Sequence, residues 1–166
     1  MLQIRPAGAT DIPEVRGMLK EYVEWIGLDL AFQEIDAELA GLPGDYAPPR
    51  GALFVATDGA RHLAMIALRP IEATHARLPR VGPGHGPVGE MKRLYVRPEA
   101  RGRGLARQLI DRLCDEAKRL GYAELRLDTL PMMGDAQALY EAYGFVDIAP
   151  YYETPIAGTR FMGKKL

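Results

Sequence analysis

The chain has 166 residues, 48% hydrophobic and 26% charged, the proportions of a soluble globular protein long enough to bury one core. Its formal net charge of −1 excludes a bulk electrostatic pull on nucleic acid or an anionic membrane, so any polyanion site must be local. A single cysteine, Cys114, excludes an internal disulfide, no apolar run reaches 18 residues, and the charged start MLQIRPAGATD is unlike a signal peptide, so one cytoplasmic domain over residues 1–166 is expected.

In chain order, LQIRPA reads as a short strand. A helical stripe follows: Ile12, Val15, Met18, Leu19, Tyr22, Val23 and Ile26, with Asp11 and Glu14 spaced as a capping box. A shorter stripe (Phe32, Ile35, Leu39, Leu42) ends in the prolines and glycines of LPGDYAPPRG. Two strand-like runs then flank Asp58-Gly59, a hairpin signal. The Gly- and Pro-rich stretch from Ile71 to Gly89 reads as a long connection. EMKRLYV is a strand whose period-two pattern is broken, which suits a bulge. Gly104 to Leu120 is a helix stopped by Gly121, AELRLDT a strand, and DAQALYEAY a short helix closed by Gly144. FVDI and TRFMGKKL form a last strand pair. The order β-α-α-β-β-β-α-β-α-β-β predicts an α+β fold around a central mixed sheet.

The turn RPEARGRGLARQL opens a helix with glycines and positive charge, where a surface helix prefers a Ser, Thr or Asp cap and acidic residues. A P-loop requires Lys and then Ser or Thr after its second glycine, but Leu105 and Ala106 follow Gly104. A dinucleotide fingerprint is closer, since the next strand carries Asp128 near its end. However, five residues separate Val96 from Gly102, and Arg107 occupies the third glycine position. Two alternatives remain: a pyrophosphate held by consecutive backbone amides with Arg101, Arg103 and Arg107 nearby, or a solvated loop whose glycines only turn the chain.

Arg101-x-x-Gly104-x-Ala106, after a strand ending KRLYV, resembles motif A of the GNAT superfamily of acetyl-CoA-dependent N-acetyltransferases. The downstream ALYEAYGF resembles that superfamily's LY…GF helix, and the element order is similar along essentially the whole chain. The resemblance implies a splayed GNAT-like sheet and acetyl-CoA as cosubstrate. It places the pyrophosphate on Arg101, Gly102, Arg103, Gly104, Leu105, Ala106 and Arg107, and the pantetheine arm along Leu94, Tyr95 and Val96 as an added strand. An asparagine often found seven residues before the helix tyrosine is replaced by Met133.

The same resemblance implies direct acetyl transfer to an amine of a small molecule, peptide or protein, with Tyr140 as proton donor to the thiolate. Two carboxylates stand where relatives place a base: Glu90, eleven residues before Arg101, and Asp128. A water chain without a dedicated base is the third option. The acceptor wall falls on Trp25 and Phe32 in the first helical region and on Tyr151, Tyr152 and Glu153 between the last strands. Aromatics beside carboxylates suit a cationic acceptor. A non-catalytic acyl-CoA sensor or docking module of the same fold is the alternative. No nucleic-acid, membrane or metal partner is expected, since His62, His75 and His85 lack ligand spacing, whereas a homodimer is left open.

Overall fold

A computed structural model describes residues 1–30, 34–73 and 86–166. Strands β1 (Leu2–Pro6), β2 (Ala52–Asp58), β3 (Arg61–Pro70), β4 (Val88–Val96), β5 (Glu124–Thr129), β6 (Val146–Asp147) and β7 (Arg160–Lys165) form one sheet. Their order is β1-β2-β3-β4-β5-β7-β6, and β4–β5 is the parallel pair in an otherwise antiparallel sheet. Helices α1 (Ile12–Ile26) and α2 (Ile35–Gly41) lie in the first half, α3 (Leu105–Arg119) and α4 (Gly134–Ala142) in the second. The expected α+β order is present in full.

Each face of the sheet is covered because the helices carry apolar stripes. On α3, Leu105, Leu109, Ile110, Leu113, Cys114 and Ala117 are buried against Phe54, Ile66, Leu68, Leu125 and Leu127. Tyr140 and Phe145, from α4 and the turn after it, join this layer. On the opposite face, Val15, Met18, Leu19 and Ile26 of α1 pack on Leu53, Val55, Met65, Ala67 and Tyr95. Each of these buried aliphatic side chains stabilises the fold by roughly 1.5–3 kcal/mol over leaving it in water.

The capping box does not form as expected. Asp11 precedes α1, but its carboxylate makes no cap bond to the helix. It accepts two bonds from Arg5 (2.7 and 2.8 Å) and one from the Gly8 amide (2.7 Å), and lies 2.7 Å from His62 Nε2. Asp11 ends the tight turn Ala9–Asp11 with helical φ and ψ, so its carboxylate turns back to Gly8 and across to Arg5 and His62, tying β1 to β3.

Candidate active site

The site is made by two irregularities in the middle of the sheet. Strands β4 and β5 pair only from Val88 opposite Glu124 to Glu90 opposite Arg126. Beyond that they part, β4 running on to Val96 and β5 to Thr129, so among the described residues the edge of β4 facing β5 has no strand partner there. On its other side β4 carries the bulge that EMKRLYV suggests. Met65 lies opposite Tyr95 and Ala67 opposite Lys92, so Ile66 faces two residues, Arg93 and Leu94. Arg93 takes φ of 60°, a left-handed conformation rare outside glycine.

The bulge sends two consecutive basic side chains toward the α1–α2 side, where strict alternation would separate them. Lys92 Nζ donates to Asp128 Oδ1 at 3.0 Å. Arg93 forks onto Glu38 of α2, at 2.9 Å from Nε and 3.1 Å from Nη2. Burial raises the proton affinity of Asp128, but the Lys92 charge, the Tyr152 hydroxyl and Arg93 outweigh it and hold the carboxyl below its ordinary range.

The gap between β4 and β5 opens into a cavity of about 330 Å³, lined by β4 from Met91 to Val96, by α4 through Ala136, Leu139 and Tyr140, and by Asp128. Tyr22, Trp25 and Leu30 close its α1 side. The Tyr140 hydroxyl forms no hydrogen bond to a described residue, although the side chain is buried. Burial, with Tyr22 and Asp128 near, raises its pKa well above an ordinary phenol.

Beside the cavity lies the glycine-arginine turn. Gly102 and Gly104 adopt φ of 76° and 73°, and a Cβ at Gly102 would meet nothing within 4 Å. None of the backbone N–H groups from Gly102 to Arg107 bonds to a described residue; the first satisfied amide is Gln108, on Gly104 O. Six successive amides without acceptors at the start of α3, with no side-chain cap, form a cradle for an anion of pyrophosphate size. Residues and chemistry therefore fit coenzyme A here.

The expected site residues divide sharply. Tyr140, Asp128, Leu94, Tyr95, Val96, Arg101, Ala106 and Trp25 line the cavity. Leu105 faces the core, while Arg103 sits near Asp58 at 3.8 Å on the surface. Tyr152 reaches the site indirectly, its hydroxyl donating to Asp128. Glu153 is exposed, and Phe32 lies outside the described residues.

Two expectations are corrected. Glu90 is fully buried and does not line the cavity; it accepts from Arg69 Nε at 2.8 Å and from the Tyr151 hydroxyl at 2.6 Å. A carboxylate sealed by two donors inside the sheet is a structural anchor and not a base for an incoming amine. Tyr151 is for the same reason no receptor surface, since it is buried on Phe161 with its hydroxyl spent on Glu90.

Lys92, Arg93, Asp135 and Tyr22 are among the lining residues that sequence reasoning passed over. The signal lay in EMKRLYV itself: Glu90 and Lys92 two apart in a central strand mark a polar face where apolar residues are the rule.

The acetyltransferase (GNAT) family model matches residues 15–145. An uncharacterized N-acetyltransferase of Schizosaccharomyces pombe is 37% identical over 153 residues, 92% of this chain and 86% of that protein. A GNAT-family acetyltransferase structure from Staphylococcus aureus superposes with a TM-score of 0.75 at 17% identity, covering 99% of both chains. An acetyltransferase from Clostridium acetobutylicum, crystallised with acetyl-CoA, gives 0.74 at 22% identity over 93% of this chain and 96% of its own. The splayed sheet, the amide cradle and these similarities agree: the chain belongs to the GNAT family of acetyltransferases.

Proposed function

We propose that the protein transfers an acetyl group from acetyl-CoA directly to the primary amine of a small molecule, peptide or protein. The observation that carries it is the convergence on one cavity of the amide cradle, the β4 edge and the Tyr140 hydroxyl, none of which is satisfied by a described residue. Acetyl-CoA supplies the activated acetyl group. The chain's part is to hold, orient and manage protons.

The cradle of Gly102 to Arg107 binds the pyrophosphate, and the β4 edge at Leu94 to Val96 offers backbone groups to the pantetheine arm. Tyr140, kept protonated by burial, gives a proton to the departing thiolate as the C–S bond breaks, and is reprotonated by the proton that the nitrogen releases once its bond to the acetyl carbon has formed. Asp128, kept ionised by Lys92 and Tyr152, accepts a hydrogen bond from the amine and orients it. An alkylamine has a pKa of about 10, and its attack requires the neutral form. The amine gives its extra proton up to solvent before it attacks, without a dedicated base.

Turnover of acetyl-CoA against a panel of amines, with CoA binding measured in parallel by calorimetry, tests the proposal. Acetylated product is expected. Tight CoA binding with no turnover on any amine would leave a non-catalytic acyl-CoA module.

A further inference from the structure

We infer that the acceptor is a free α-amino acid with an apolar side chain, its carboxylate read by Lys92 and its amine by Asp128. The inference rests on the acetyl-transfer function proposed above and sharpens its substrate class.

The first observation is Lys92 itself. Its side chain is 5% exposed and lines the cavity, a costly place for an ammonium. An ammonium carries three N–H donors, and among the described residues only Asp128 Oδ1 takes one. Buried donors call for acceptors, and the open direction is the cavity. A carboxylate entering there accepts from Lys92 in a charge-assisted bond.

The second observation is the balance of charge. Among the described residues the charged groups of the cavity wall are Lys92, Arg93, Arg101, Asp128 and Asp135, and since Glu38 behind the wall pairs with Arg93 and Asp128 pairs with Lys92, the two signs balance. A plain alkylammonium, or a lysine side chain of a protein, brings one uncompensated positive charge to this balanced wall and offers Lys92 no acceptor. An α-amino acid brings both signs, one carbon apart, and so lies antiparallel to the Lys92–Asp128 pair with each charge facing its opposite. A peptide N-terminus has an amide where the carboxylate would be and leaves Lys92 unanswered.

The third observation is the remainder of the wall. Tyr22, Trp25, Leu30 and Leu130 also line the cavity, the surroundings of an apolar side chain.

The test compares wild-type kcat/KM for L-phenylalanine, L-leucine and L-methionine with their amides and with 2-phenylethylamine. A preference of tenfold or more for the acids is expected. The α-amine of an amide is less basic than that of the free acid, so intrinsic reactivity at neutral pH runs against this preference. Lys92→Met should bring the acid-to-amide ratio to one or below, whereas Lys92→Arg should retain it. Should Lys92→Met fail to fold, the wild-type comparison decides alone. Amides or amines turned over as well as the acids would overturn the inference and leave acetyl transfer standing. No acetylation of any amine, with CoA still bound, would instead remove the acetyl-transfer function.

Discussion

Arg93 on the bulge of β4 and Glu38 on α2, 55 residues apart in sequence, are joined by two hydrogen bonds of 2.9 and 3.1 Å. Glu38 also accepts from the Tyr46 hydroxyl at 2.9 Å, so one carboxylate fixes the bulge, α2 and the turn that follows it. Burial works against the charge of Glu38, and Arg93 and Tyr46 overcome it, holding the carboxyl below its ordinary range. Glu38→Ala takes two charge-assisted hydrogen bonds from the buried Arg93 guanidinium and should destabilise the fold by about 3–5 kcal/mol in urea unfolding. A loss under 1 kcal/mol would show that water replaces the pair.

Gly104→Val tests the cradle. A Cβ at Gly104 meets only Gln108 Nε2, at 4.0 Å, so space is not the obstacle. The left-handed backbone costs a side chain roughly 1–2 kcal/mol, and the side chain then stands where the pyrophosphate must approach. The variant should fold, and calorimetry should show CoA affinity reduced at least tenfold. Unchanged affinity in a folded variant would place the phosphates elsewhere.

Tyr140→Phe should lower kcat by about 10²–10⁴-fold while CoA affinity stays within about twofold, because a proton donor acts chiefly in the transition state. A rate close to wild type, with product release shown not to limit, would make Tyr140 a packing residue.

The pH profile follows from the two shifts at the site. Asp128 is held below the ordinary carboxylate range, so it stays ionised and contributes no limb between about pH 6 and 8. Tyr140 is raised, so its loss of a proton falls above about pH 10. The rise of kcat/KM with pH should therefore track the acceptor, moving to lower pH for a less basic amine. A limb that stays fixed across amines of different basicity would reveal a protein base.

Asp11 makes a separate prediction about stability. The Arg5 hydrogen bonds, with help from the Gly8 amide and His62 and against burial, hold its pKa far below the unfolded value. A depressed folded pKa contributes stability that is complete above the unfolded pKa, about 3.9, and is lost as pH falls toward the folded one. Asp11→Asn should thus cost about 1.5–3 kcal/mol at pH 7, and the gap to wild type should narrow below about pH 4. A gap independent of pH would mean that packing, not charge, accounts for it.

Much of the fold was legible because local rules agree with one another. The stripe of α3, the Asp58-Gly59 hairpin and the stops at Gly121 and Gly144 each read correctly from neighbouring residues. The cradle was legible too, since glycines where caps belong are a local anomaly. The buried charges were not. Whether Glu90 or Asp128 opens to the cavity depends on where β4 and β5 part, a relationship between residues 36 apart in sequence that periodicity does not carry. Tyr151 and Tyr152 are adjacent, yet one is sealed on Glu90 and the other reaches Asp128. Only the packing of the last loop on the sheet separates them.

An unpaired strand edge is ordinarily a hazard, because another chain can add to it and propagate. Here the unpaired edge of β4 lies in the interior of the sheet, with β5, itself fully paired to β7, closing the far side of the wedge. A second polypeptide strand has no outer rim to start from and no parallel track to follow. The edge is thereby offered to a slender ligand arm from inside the sheet, where a neighbouring chain has no rim to which it could add.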